Sequence, residues 1–285
     1  MHPEMRKAIH VAADDMEESA VKLSSNTSLA YTKSWIEYNP IQKQSFEIVG
    51  VDSSFNKPKV AGFMIGAVSC IATNVEAFEY FCKHKIIENG DDLSEVSRNF
   101  EANSICKVAP MKDVDLLIVD GSIFSFLTNA QLSETIASVL QELKNHKVVF
   151  LSKTSNAKSV KSKNLPCSDL FYYNQLTQTS GFSIPTRDAS FGKNKKIVSS
   201  YIRLEPHAPV LKLEYLASND VEEQKNQDDI ETARLMDMMI GTSIDGYPLS
   251  LSYAHYDCKI SSEDMEEAEG LWGVSHMISS REPLQ

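Results

Sequence analysis

Cysteine is scarce in this 285-residue chain, and the few copies follow no recognised spacing. None of the five belongs to a Cys-x-x-Cys pair or to a Cys/His group with zinc spacing: Cys70, Cys82, Cys106, Cys167 and Cys258. Structural zinc sites need such groups, and small secreted domains need dense disulfides. The pattern argues against both and favours reduced, mostly buried thiols.

Long hydrophobic runs and nucleotide-binding glycine motifs are also missing. The run "VAGFMIGAVSCIA" is too short and too broken by glycine and serine to span a bilayer, and the N-terminus lacks a signal-peptide core. No G-x-G-x-x-G or P-loop follows a predicted strand, which argues against a doubly wound nucleotide fold. With 42% hydrophobic residues the chain can bury a substantial core. We therefore expect a cytoplasmic protein without a membrane segment.

Charge is distributed unevenly along the chain. The formal net charge is −11, but residues 144–203 contain eleven basic and two acidic residues, a net of +9. The remainder therefore carries −20. This asymmetry predicts that a negatively charged ligand approaches one side of an acidic protein. The alternative is a Lys-rich loop that only aids solubility.

The pattern of apolar residues predicts alternating strands and helices. We expect a helix over 4–24, strands over 46–52, 59–73 and 79–88, a helix over 93–106, a strand over 115–122, a helix over 129–146 and a strand over 147–155. A polar stretch over 155–196, a hairpin over 198–218, a helix over 228–244 and a closing tail follow. The order β-β-β-α-β-α-β predicts an α/β fold with a ribonuclease-H-like mixed sheet flanked by helices.

No linker divides the chain, so we expect one domain over 1–285. Its regions are an N-terminal helical region (1–44), the first part of the core (45–153), a basic polar insertion (154–196), and a hairpin, helix and closing motif (197–285).

Two aspartates each follow an apolar run. Asp52 closes the run in "SFEIVGVDSSF", and Asp120 closes the run in "DVDLLIVDGSIF". Strand ends hold carboxylates rigidly, and hard cations such as Mg²⁺ and Mn²⁺ prefer carboxylate oxygens. Two such ions about 4 Å apart can activate water and stabilise the leaving oxygen in phosphodiester cleavage. The alternative is that each aspartate merely begins a turn.

The closing phrase "GYPLSLSYAH", which contains Tyr247 and His255, adds to this pattern. With "VGVDSS", "LLIVDGS", "VVFLSKTS" and "YIRLEPHAPVLKLEY" in the same order, the chain resembles the NurA nucleases over nearly its whole length. The family usually has glycine where this chain has Ser53.

The resemblance implies an active site of five residues, of which all but the tyrosine bind metal: Asp52, Glu101, Asp120, Tyr247 and His255. Glu101 fits the family's Arg-x-x-Glu phrase, and Glu95 is the rival. His255 would bind a metal or carry a proton. Tyr247 would contact the scissile phosphate or orient His255. From the residues alone, Tyr247 can equally be a packed turn aromatic and His255 a core residue.

The resemblance also implies two Mn²⁺ or Mg²⁺ ions and a DNA substrate. Four lysines are candidate DNA contacts: Lys153, Lys158, Lys161 and Lys163. Three aromatics, Phe171, Tyr172 and Tyr173, could stack on bases. We expect them in the core instead.

Such a nuclease would act as a 5′-to-3′ exonuclease and single-strand endonuclease in DNA end resection for double-strand break repair. It would be a homodimer docked on a HerA-type hexameric ATPase translocase. Two alternatives stay open: a non-catalytic DNA clamp or adaptor for the translocase, and another nuclease of the same fold.

Overall fold

One mixed sheet organises the chain in the computed structural model, which describes Met5 and residues 34–57, 65–87, 92–127, 129–142, 147–157, 168–191, 195–218 and 225–271. Ten strands of the described residues belong to it: β1 (Trp35–Glu37), β2 (Ile48–Asn56), β3 (Gly66–Thr73), β4 (Glu79–Ile87), β5 (Leu116–Asp120), β6 (Val148–Ser152), β7 (Gly181–Ser183), β8 (Thr186–Phe191), β9 (Lys195–Arg203) and β10 (Leu211–Ser218). Their order is β1-β7-β9-β10-β6-β5-β2-β3-β4, with β8 also paired to β9.

The centre of the sheet has the predicted ribonuclease-H-like topology. Strands β2, β3 and β4 form an antiparallel meander, while β5 and β6 run parallel to β2 on its other side. The first four residues of β5 are fully buried, as expected for a parallel strand that is covered on both faces. This explains the continuous apolar runs that lead to Asp52 and Asp120.

Helices cover both faces of the sheet. Their bounds are α1 (Leu93–Val108), α2 (Phe124–Leu127), α3 (Ala130–Glu142), α4 (Asp169–Leu176), α5 (Lys225–Ile240), α6 (Leu249–Cys258) and α7 (Ser262–Leu271). Alternate residues of the central strands point to opposite faces. Val51 packs with Phe100 and Ile136 of the α1–α3 layer, whereas Ile48 packs with Met236 and Leu251 of the α5–α6 layer.

Several sequence-based boundaries need correction. The strand predicted to stop at Asp52 continues through two serines to Asn56, because β3 pairs with it along that length. The predicted polar stretch over 155–196 contains α4, β7 and β8, and both strands join the sheet. The closing tail contains α6 and α7. The predicted N-terminal helix over 4–24 lies, except for Met5, outside the described residues.

The aromatic cluster at α4 follows the expectation in part. Tyr172 and Tyr173 are buried beside Trp35 and Tyr201, with the Tyr173 and Tyr201 rings stacked at 5.1 Å. Phe171 is 40% exposed, so its assignment to the core is wrong. Among the described helices, none combines the length and the apolar character needed to cross a bilayer.

Helix α6 lies directly against β2 at Gly50. A Cβ atom on Gly50 would lie 2.4 Å from the backbone carbonyl of Ser250 and 2.5 Å from the amide nitrogen of Leu251. Both neighbours are backbone atoms, which cannot turn aside as a flexible side chain can. The absence of a side chain at this position therefore sets the distance between helix and sheet.

We expect Gly50→Ala to lower the free energy of unfolding by about 2 kcal/mol, because the added methyl group must push α6 away from β2. Chemical denaturation with urea measures this change. Gly270→Ala is the matched control, since a Cβ there meets no described atom within 4 Å. Because alanine favours a helix more than glycine does, stability should stay the same or rise. Equal stability of Gly50→Ala and wild type would contradict the close contact.

Candidate active site

Asp52 and Asp120 lie side by side in the sheet. Val51 of β2 is in register with Val119 of the parallel strand β5, so the next residue on each strand is an aspartate. Both side chains point to the α5–α6 face, since Gly50 and Ile118, two residues earlier, also face α6 or its layer. β5 ends at Asp120. Parallel register, rather than two coincident strand ends, pairs the carboxylates.

His255 approaches this pair from α6. Its Nδ1 lies 2.7 Å from Oδ2 of Asp52, and the Asp52 side chain is almost fully buried. An ionised carboxylate only accepts, so Nδ1–H is the donor. The other ring nitrogen, Nε2, then has its lone pair available to a metal ion or a proton. Helix α6 thus delivers one further ligand to the aspartate pair.

The three side chains form a cluster suited to a divalent ion. One ligand atom from each of Asp52, Asp120 and His255 lies within 4.8 Å of the other two. Two carboxylates and an imidazole are ligands that Mn²⁺ accepts, whereas Mg²⁺ more strongly prefers oxygen. The residues therefore fit the metal that the sequence motifs imply.

The electrostatics of the cluster favour a cation. Burial and the nearby charge of Asp52 raise the pKa of Asp120 to about 6, although Lys153 and His255 act in the opposite direction. Bringing a like charge close to a carboxylate costs free energy that a bound cation removes. The cluster is therefore costly when both aspartates are ionised and no cation is present.

Glu101 reaches the site from the opposite face of the sheet. It lies on α1, and the hydroxyl of Ser53 donates a short hydrogen bond to its Oε1. Ser53 and Ser97 are also 2.6 Å apart, oxygen to oxygen. Burial, helped by the charges of Asp52 and Asp120, raises the pKa of Glu101 to about 8, although the Ser53 hydrogen bond acts in the opposite direction. Glu101 is thus close enough to the two aspartates for their charges to affect its pKa, but it is not one of the three clustered ligands.

Glu95, the rival acid, lies elsewhere. It is exposed near the start of α1 and accepts a 3.1 Å hydrogen bond from the side chain of Asn129. Of the two glutamates, Glu101 is the one in contact with a neighbour of Asp52. At position 53 the family usually has glycine. The serine found here donates a hydrogen bond to Glu101, which a glycine could not do.

Tyr247 and Lys153 border the cluster. A two-stranded hairpin, β11 (Ser243–Ile244) and β12 (Tyr247–Pro248), positions the tyrosine through a turn in which Asp245 and Gly246 both have positive φ. The Tyr247 hydroxyl is buried and has no hydrogen-bond partner among the residues that the structure describes. Burial and the charges of Asp120 and Asp52 raise its pKa above the ordinary value, which keeps it a donor. The Lys153 ammonium lies 4.3 Å from the centroid of the Tyr247 ring.

The basic segment is less available to a ligand than its charge implies. Arg187 forms a two-bond ion pair with Asp228, at 2.7 and 2.9 Å. Arg203 is buried, and its guanidinium contacts Asn174. Lys153 is exposed beside the acidic cluster. Lys158, Lys161 and Lys163 lie outside the described residues.

Sequence reasoning overlooked Gly50. Its only signal is a glycine two residues before Asp52, within an otherwise apolar strand, which is the pattern of a close backbone approach. Since Gly50 and Asp52 share a face, the helix that touches the glycine also reaches the aspartate.

Comparison with known proteins identifies close structural relatives. A family model described as NurA domain matches residues 46–260. The NurA nuclease from Sulfolobus solfataricus is similar with a TM-score of 0.74 and 16% identity, covering 96% of this chain and 97% of that one. A NurA bound to dAMP and manganese gives a TM-score of 0.59 at 10% identity, with coverage of 100% and 99%. A NurA with manganese gives 0.57 at 10%, with coverage of 98% and 100%. A comparison with curated proteins finds no match.

The fold and the site together define an α/β protein whose ribonuclease-H-like sheet carries an acidic cluster suited to a divalent ion. More specifically, because the family model covers well over half of the sequence, the chain belongs to the NurA family. The resemblance drawn from its motifs is confirmed.

The raised pKa values predict how stability depends on pH without metal. Between the ordinary carboxyl pKa and about 8, folded Glu101 retains a proton that the unfolded chain has lost, and Asp120 does so up to about 6. Stability is therefore greatest at the acidic end of this window and falls as pH rises through it. In EDTA, we expect Tm to be lower at pH 8 than at pH 5.

Glu101→Gln should reduce this fall and raise Tm at pH 8, because the amide cannot ionise. Calorimetry at both pH values measures the effect. Glu95→Gln, an exposed change on the same helix, is the control and should retain the wild-type dependence. A Glu101→Gln variant with the wild-type pH dependence would show that Glu101 is not held in a raised-pKa environment.

Proposed function

We propose that this chain is a divalent-metal-dependent DNA nuclease whose active site consists of Asp52, Glu101, Asp120, Tyr247 and His255. The observation that carries the proposal is the clustering of Asp52, Asp120 and His255 within 4.8 Å where β5 ends beside β2. The relatives bound to manganese, one of them also to dAMP, support the same chemistry. The proposed cofactor is two Mn²⁺ ions, or Mg²⁺ in their place.

The proposed metal ligands are Asp52, Asp120, His255 and Glu101. When bound, the ions supply an activated water and neutralise charge on the phosphate. Asp52 would be a central ligand, since its side chain contacts His255 and the adjacent Ser53 contacts Glu101. Glu101 contacts the site through Ser53, and its proton must leave before it can bind a cation.

The other site residues act on the substrate and its protons. His255 can move a proton through Nε2, while Asp52 holds the ring by Nδ1. The Tyr247 hydroxyl, a buried donor without a partner, can donate to a phosphate oxygen. The Lys153 ammonium stacks over the Tyr247 ring and adds positive charge at the same edge. Lys158, Lys161 and Lys163 are proposed to contact the DNA backbone farther from the site.

The proposed biological setting follows from family membership. We propose 5′-to-3′ exonuclease and single-strand endonuclease activity in the cytoplasm, in DNA end resection for double-strand break repair by homologous recombination. The working form is proposed to be a homodimer docked on a HerA-type hexameric ATPase. Light scattering tests the dimer, and co-sedimentation with the hexamer tests the docking.

Asp120→Asn should reduce Mn²⁺-dependent cleavage of single-stranded DNA by at least about 100-fold, because an amide is a much poorer ligand for a hard cation. Parallel assays with 5′-labelled and 3′-labelled strands measure both rate and direction. A 5′-to-3′ enzyme releases the 5′ label first as mononucleotide and shortens the 3′-labelled strand progressively.

Asp115→Asn is the matched control. Asp115 is exposed just before the same strand and accepts a hydrogen bond from the Glu47 amide, away from the cluster. If Asp120→Asn cuts at the wild-type rate, the assigned site is wrong. If wild type cuts nothing, even with the hexameric translocase present, the chain is the non-catalytic clamp or adaptor.

A further inference from the structure

Two charged side chains are buried in the first half of β10. Lys212 and Glu214 form an ion pair on the α1–α3 face of the sheet, and their side chains are 8% and 0% exposed. The Lys212 ammonium also lies 5.2 Å from the centre of the Phe124 ring. Neither residue belongs to the proposed set of ligands.

Glu214 contacts the turn that follows Asp120. Its Oε2 accepts a 2.6 Å hydrogen bond from the hydroxyl of Ser122 and a 3.0 Å hydrogen bond from the amide of Ile123. β10 is separated from β5 by β6 alone, and Glu214 faces Phe150 of β6 in register. The carboxylate therefore reaches across β6 to the chain that leaves β5.

The turn also contacts the start of α2, where the Phe124 amide donates a 3.3 Å hydrogen bond to the Ser122 hydroxyl. Gly121 has φ of +96°, and a Cβ at this position would meet no atom within 4 Å, so the turn is open on that side. The Gly121 amide donates to the carbonyl of Leu151 at 3.0 Å. The two bonds to Glu214 hold the following residues, so the turn is tied to both β6 and β10.

A buried ion pair is a poor means of stabilising a fold, because a well-packed apolar pair of similar volume is often at least as stable. The contacts of Glu214 indicate a different role. Partners that orient metal ligands change metal affinity when they are removed, even though they do not touch the ion.

We propose that Glu214, paired with Lys212, is a positioning residue that fixes the turn after Asp120 and so holds the Asp120 carboxylate in place for the metal. This inference rests on the proposed metal site. It adds a third strand, β10, to β2 and β5 as elements on which metal affinity depends.

The test measures Mn²⁺ affinity of the full chain directly, by the electron paramagnetic resonance signal of free Mn²⁺ during titration. The double variant Lys212→Met/Glu214→Leu removes the ion pair and both bonds to the turn while filling the space. We expect its dissociation constant for Mn²⁺ to rise about 10-fold or more. Lys212→Met/Glu214→Gln keeps an amide oxygen as acceptor and should restore affinity to within a few-fold of wild type.

The ion pair of Arg187 and Asp228, which joins β8 to α5, provides a matched control. Arg187→Met/Asp228→Leu removes a comparable ion pair elsewhere and should leave Mn²⁺ affinity unchanged. The inference is overturned if Lys212→Met/Glu214→Leu binds Mn²⁺ as tightly as wild type, or if the control pair weakens binding equally.

Ser122→Ala keeps the test decisive if the double variant does not fold. It removes one of the two bonds to Glu214, together with the 3.3 Å bond from the Phe124 amide to the Ser122 hydroxyl, and leaves the ion pair in place. We expect weaker Mn²⁺ binding. Wild-type affinity in a folded Ser122→Ala protein would overturn the inference. A wild-type chain that binds no Mn²⁺ would instead refute the metal site itself, so the two failures are distinguishable.

Discussion

The contact between Gly50 and the backbone of α6 is the constraint on which the site depends. Because β2 presents no side chain at this position, Ser250 and Leu251 lie directly against the strand. Two residues farther along β2, Asp52 meets His255 one turn farther along the helix. The same close packing that completes the hydrophobic layer therefore assembles a carboxylate and an imidazole from residues about two hundred positions apart.

Ionisable side chains of the site are concentrated in a part of the fold that is largely shielded from solvent. Asp52 is buried, and Asp120 and Glu101 have raised pKa values. Within the described part of the chain, the buried Tyr247 hydroxyl has no hydrogen-bond partner. Each of these features costs stability in the protein alone, and each is relieved by a cation or a phosphate oxygen. The unfavourable features thus point to the same proposed ligands, which are a divalent cation and a phosphate group.

The sequence predicted the central strands because both faces of β5 and β6 are buried, which leaves uninterrupted apolar runs. It placed Asp120 correctly at the end of β5. It ended β2 too early, because Ser53 and Ser54 look like a turn locally. Their strand conformation depends on pairing with β3, and Ser53 in addition contacts Glu101 across the sheet face. The short strands β7 and β8 were missed for the same reason, since their pairing with β9 is not visible in local composition.

The candidate site could be predicted as a set of residues but not as a geometry. Helical periodicity barely separates Glu101 from Glu95, whereas in the structure the contact with Ser53 distinguishes them. Likewise, counting charges cannot show that Arg187 and Arg203 are engaged inside the protein rather than offered to a ligand. Motif order carried the family assignment, whereas three-dimensional packing determined which acids meet.

Anomalous diffraction from crystals soaked in Mn²⁺ tests the central claim most directly. The account predicts a manganese peak within about 2 to 2.5 Å of carboxylate oxygens from both Asp52 and Asp120. Manganese bound elsewhere, or no peak between these two aspartates at saturating Mn²⁺, would contradict it.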